Sequence, residues 1–192
     1  MVKLPLLNQT EMSSSTKVSP QDFESAATDA QLVEQPSLSV THGSVLEKKH
    51  GIEVDYDLDS LNKLLDDMGI GEERSKLTVL FDHHIPSHDD SDPTGHYDPE
   101  AIQITIRVLK RKYWSYLWSR KRQPRNAEDI NKDLIHETRH FFQHMGAIAA
   151  GDTYEWQTKA DRKRIEHDAQ FFTDQNHTKY PIIQAVRQRP TN

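Results

Sequence analysis

Leu58, Leu61, Leu64, Leu65 and Met68 recur every three or four positions among polar residues. That spacing predicts an amphipathic helix, capped in front by Asp57 or Asp59 and ended by Gly69. Leu77-Thr78-Val79-Leu80-Phe81 is a short β-rich run, and residues 101–107 alternate apolar and polar side chains, the pattern of a strand. Residues 82–98 between them read as a polar loop. After Pro124, Ile130, Leu134, Phe141, Met145 and Ile148 form an apolar stripe at helical spacing. Asn126 supplies an N-cap, Glu128 and Asp129 early acids, and Gly151 the expected C-cap, with Gly146 weakening the last turns. The helix so bounded has about six turns. Trp156, Ala160, Ala169 and Phe172 make the stretch around Asp161–Phe172 amphipathic as well. Pro181-Ile182-Ile183 would pack on the domain or continue as a short extended segment.

The front of the chain lacks such patterns. Residues 1–50 are rich in Ser, Thr, Gln and Glu, which predicts a disordered tail or one that docks on a partner. A single ordered domain is expected over residues 51–192. The chain has 34% apolar and 28% charged residues, lean for a fully globular chain, as such a tail requires. No apolar run approaches the ~20 residues of a membrane span, and Met1–Leu7 is too short for a signal peptide. With no cysteine there is no disulfide framework, and a metal site must use nitrogen and oxygen ligands. A cytoplasmic location fits these features. A net charge of −6 argues against bulk electrostatic binding to nucleic acid.

The long helix carries His136-Glu137-Thr138-Arg139-His140, an H-E-x-x-H motif. Two imidazoles four residues apart share one helix face and can grip one zinc ion, while the intervening Glu is placed to act on water activated by the metal. The motif is short, so its context has to decide. Ile135, Phe141 and Phe142 would supply a dry shell. A catalytic zinc takes three protein ligands and keeps one position open. A His ten positions after His136 is excluded as the third, because Gly146 stands there. Glu166, 26 positions after His140 on the next helical stretch, is the preferred candidate. Asp168 and His144 are its rivals. Asp168 lies about 200° around the helix from Glu166, so both cannot face one metal.

H-E-x-x-H followed by a helix bearing E-x-x-A-x-x-F resembles the small glutamate-zincin peptidases, particularly the ImmA/IrrE-like and related minimal zincin domains. The matching residues are His136, Glu137, His140, Glu166, Ala169 and Phe172, within a region of roughly residues 75–175. The resemblance implies one zinc per chain held by His136, His140 and Glu166, with Glu137 as general base in peptide-bond hydrolysis. It also implies an α+β fold in which a small, mostly antiparallel sheet packs on the motif helix and on a second ligand helix. An edge strand of that sheet would pair with an extended peptide or protein substrate, a role assigned to Gln103, Ile104 and Thr105. Tyr154, His177 and Tyr180 are candidate donors to a developing oxyanion. Arg139 stands where such motifs usually carry an uncharged residue. Gln170 stands where related enzymes place an Asp that orients a ligand His.

Two other segments carry chemistry. From Arg107 to Arg125 there are eight Lys or Arg and no acid, interleaved with Tyr113, Trp114, Tyr116 and Trp118. Such a segment could bind nucleic acid or an anionic surface, but an amphipathic element with packed aromatics accounts for it more simply. His83, His84, His88 and His96 lie among aspartates, a composition that polar loops collect without a metal. The alternatives to a peptidase are therefore an inactive zincin-fold binding module and a binder of nucleic acid or anionic surfaces through residues 107–125.

Overall fold

The computed structural model describes residues 38–43, 50–85, 93–110, 123–152 and 158–189. The described strands are β1 (Ser39–His42), β2 (Ile52–Tyr56), β3 (Thr78–Asp82), β4 (Gly95–Asp98), β5 (Gln103–Arg107) and β6 (Ile183–Gln188). The helices are α1 (Leu58–Asp67), α2 (Ala127–Ala149) and α3 (Lys159–Asn176), with a 3-10 turn at Glu72–Lys76. The fold is α+β. Most of the tail expected over residues 1–50, the basic aromatic residues 111–122 and Trp156 lie outside the described residues.

Local chemistry sets the helix ends. The Asp57 carboxylate accepts from the Asp59 and Ser60 N–H groups at 3.0 and 3.3 Å and caps α1. Gly69 follows with φ +77°, a conformation that costs glycine least. Asn126 caps α2 by accepting from Asp129 N at 2.7 Å, and Gly151 past its end has φ +74°. Gly146 does not interrupt α2. Thr158 caps α3 through Asp161 N at 3.2 Å.

Four strands form one sheet in the order β1-β3-β5-β4, and β2 pairs with β6 in an antiparallel ribbon. In the larger sheet β1 and β5 run parallel to β3, and only β4 is antiparallel to its neighbour. The expectation of a mostly antiparallel sheet is therefore corrected to a mixed one. β1 and β3 are linked through β2 and α1, and β3 and β5 through residues 83–102, enough chain for each pair to run parallel, whereas β4 and β5 are joined by a tight turn. Ordered structure also begins before Gly51. Ser39–His42 is a strand of the sheet, and Leu38 is buried in the core.

Apolar faces close the core. Leu61, Leu64 and Leu65 of α1, Val79 and Phe81 of β3, Ile104 and Ile106 of β5, and Ile130, Leu134 and Phe141 of α2 are buried together. One face of α2 packs on β4, β5 and β6, and α3 packs on another. Ile148, part of the expected stripe, is 54% exposed, so the last turns of α2 run past the packed region. Buried Asn131 on α2 donates to His177 O and Tyr180 O, both at 3.0 Å, and accepts from the Ile182 and Ile183 N–H groups at 2.9 and 3.1 Å. This one side chain ties the motif helix to the end of α3 and the start of β6. Among the described residues, no helix is long and apolar enough to cross a membrane.

Candidate metal centre

On α2 the i, i+4 spacing puts His136 and His140 on one face, with ring centroids 4.8 Å apart. Glu166 reaches them from α3. His136 Nε2 lies 3.3 Å from Glu166 Oε2 and 3.1 Å from His140 Nε2, and His140 Nε2 lies 3.6 Å from Glu166 Oε2. Among the described residues this is the one group of three His, Asp or Glu whose ligand atoms approach so closely. His140 is almost wholly buried, His136 less so, and the Glu166 side chain is 42% exposed, so the cluster opens to solvent on the α3 side.

The three tips fit a small dication. Zinc bonds of ~2.0–2.1 Å in a tetrahedron set neighbouring ligand atoms ~3.3–3.4 Å apart, close to the three separations found here. Two imidazole nitrogens and one carboxylate oxygen are the donor types zinc accepts, and they leave a fourth position. Burial disfavours the charged form of His140, but Glu166, Glu137 and Gln143 outweigh it and raise its pKa. The contact with His136 Nε2 at 3.3 Å and the nearby His140 imidazole hold the Glu166 carboxyl well below the usual carboxylate range. Both shifts have the sign expected where a carboxylate lies beside imidazoles and positive charge is favoured.

Glu137 faces another direction, toward the sheet. It is 8% exposed, and burial pushes its pKa up to about 7 despite the neighbouring imidazoles. Gly95 of β4 lies against it. A Cβ built on Gly95 would sit 2.7 Å from Glu137 Oε1 and 2.9 Å from Cγ, so only glycine lets the strand pass this close. Residues 82–98 read as loop in the sequence, yet Gly95–Asp98 is the strand that borders the site.

β4 is also the sheet edge. Arg107 N donates to Thr94 O at 2.9 Å, so by antiparallel alternation Thr94, His96 and Asp98 bond toward β5. Gly95 between them turns its N–H and C=O groups outward. Among the described residues no strand pairs with that side. The assignment of an edge to Gln103, Ile104 and Thr105 is corrected, because β5 has β3 on one side and β4 on the other. The alternation of residues 101–107 puts Ile104 and Ile106 on the apolar side of the strand, although Thr105 and Arg107 are buried as well. It carries no information about whether the hydrogen-bonding edges are taken.

The rival third ligands are engaged elsewhere. Asp168 accepts from Arg139 Nε at 2.8 Å and NH2 at 3.3 Å, and from Gln143 Nε2 at 2.7 Å. His144 Nδ1 lies 2.7 Å from the hydroxyl of Tyr97, whose ring packs edge-on against Phe141. Tyr180, a candidate oxyanion donor, is buried with its hydroxyl donating to Asp67, whose pKa it lowers to about 2 with help from Lys179. His177 lies 11 residues beyond Glu166, ~16 Å along the α3 axis, with Nδ1 3.2 Å from Thr173 O. Neither is brought to the cluster, and Tyr154 lies outside the described residues. Of the histidines in 82–98, His83 bonds Asp82 at 2.5 Å and contacts the His50 and His84 rings, His96 is exposed on β4, and His88 lies outside the described residues.

Gln143 and the pairing of Arg139 with Asp168 do not stand out in the sequence as features of the site. The spacing of Gln143, three after His140, is the one signal available there. Compared with protein-family models, with curated proteins and with solved structures, the chain has no match.

Proposed function

We propose that this chain is a zinc-dependent peptidase of minimal zincin-like architecture. The observation that carries the reading is the convergence of His136, His140 and Glu166 from two helices beside a buried Glu137 that touches an edge strand. His136, His140 and Glu166 would hold the metal. When bound there, zinc supplies a Lewis acid that acidifies water and polarises a carbonyl.

The remaining work falls to the chain's own groups. Gly95 offers outward N–H and C=O groups to an extended peptide, which would add as a strand to β4 and pass over Glu137. Glu137 takes a proton from the attacking water at its carboxylate and delivers it to the leaving amine. A base with a pKa near the working pH suits both transfers, and burial of Glu137 moves it in that direction. Phe141 and Ile135, both fully buried, keep water from the inner side of the helix.

The test uses the purified full chain with fluorescein-labelled casein as probe. About one zinc per chain is expected, lost in His136→Ala and His140→Ala. Glu137→Gln should keep the metal and abolish cleavage, because it removes the base and no ligand. Cleavage by Glu137→Gln at the wild-type rate would overturn the assigned mechanism, and absence of zinc from the wild-type chain after zinc loading would overturn the reading itself.

A further inference from the structure

His140 does not reach the cluster unaided. Its Nδ1 lies 2.9 Å from Gln143 Oε1, one turn along α2. The Gln143 amide can adopt only one orientation. Its Nε2 lies 2.7 Å from Asp168 Oδ2 and 3.3 Å from Ile165 O, both acceptors, so the flipped amide would set oxygen against oxygen at both contacts. The amide oxygen must therefore face His140, and His140 Nδ1 must carry the proton. In the neutral imidazole that leaves Nε2, the atom facing His136 and Glu166, without a proton.

Asp168 is itself fixed. The Arg139 fork holds it through Nε and NH2, and the guanidinium lies 4.7 Å from the Phe142 ring centroid and 4.9 Å from that of Phe172. Phe142 is on α2 and Phe172 on α3, so Arg139 clamps the two helices that bring the three ligand atoms together. Planar stacking and a two-pronged bond to a carboxylate are what arginine provides and lysine does not.

We propose that Gln143, held by Asp168 and Arg139, is a positioning residue that locks His140 in the Nδ1–H tautomer and so presents Nε2 to the cation shared with His136 and Glu166. The inference rests on the metal-site reading above for its consequence, but the tautomer itself can be read without metal. Outer partners of ligand histidines typically change metal affinity by ~10–100-fold. The charged residue inside the motif thereby acquires a role in holding the ligands rather than disturbing them.

The experiment has two arms on the full chain. Long-range 15N–1H NMR of the metal-free protein, at a pH alkaline enough to keep imidazole neutral, should show His140 as one tautomer with the proton on Nδ1. In Gln143→Leu the two forms should mix. Zinc affinity, measured by competition with a chromophoric chelator, should fall ~10–100-fold in Gln143→Leu, with circular dichroism and thermal unfolding unchanged. A wild-type tautomer in Gln143→Leu, or wild-type zinc affinity in that variant, would overturn the proposal. Failure of the wild-type chain to bind zinc would overturn the metal reading and leave the tautomer arm to decide this one.

Discussion

Glu137 has an acidic side chain placed where water is scarce. Its pKa is raised from 4.5 to about 7, chiefly by burial. In the metal-free chain this has a definite sign. Below pH 4.5 the group is neutral whether folded or unfolded and costs nothing. Between about 4.5 and 7 the unfolded chain ionises first, so stability falls as pH rises through that window. Above it, the folded chain carries a buried charge. Glu137→Gln should therefore stabilise the metal-free protein at pH 8 by on the order of 3 kcal/mol and have little effect at pH 4. Urea unfolding of both proteins in the presence of a chelator checks this. Parallel stability curves across the two pH values would show that Glu137 is not desolvated as described. The expected gain at pH 8 would mark Glu137 as a residue whose proposed catalytic role is set against stability.

At the scale of elements, the contact between β4 and α2 is the most informative. Gly95 has no side chain because Glu137 fills the space one would need. Gly95→Ala should leave zinc content intact, since the atoms an added Cβ would meet, Oε1, Cγ and Cδ of Glu137, belong to no metal ligand. It should lower the rate of casein cleavage about 10²-fold by displacing the base by an ångström or so. Equal rates would mean that Glu137 works from another position. The helices are the more readable elements, because caps and 3.6-residue periodicity are local properties. Asp57, Asn126, Gly69 and Gly151 each stand where the sequence places a helix boundary. β4 is hidden, because Gly-His-Tyr-Asp has no apolar run and becomes a strand only by pairing with β5.

Across the whole molecule, Asn131 does at one point what a disulfide or a larger core does elsewhere. Its four hydrogen bonds bind the motif helix to the turn after α3 and to β6. Asn131→Ala would strand buried N–H and C=O groups, each costing roughly 1–3 kcal/mol. A loss of at least about 3 kcal/mol is expected in denaturant unfolding. A loss below about 1 kcal/mol would show that these backbone groups find other partners.

The amino-acid order by itself determined the motif helix, its caps, the facing of His136 and His140, and Glu166 as a candidate within reach on a second helix. These follow from spacing along one helix and from the chemistry of single residues. Tertiary structure decided the rest. It set Glu166 within 3.6 Å of both imidazoles while Asp168, two residues on, turned to Arg139. It made β4 the edge, enclosed β5, sent Tyr180 to Asp67 and joined Gln143 to His140. Each of these depends on which elements become neighbours, and that is fixed by packing between segments far apart in the chain, which no local periodicity encodes.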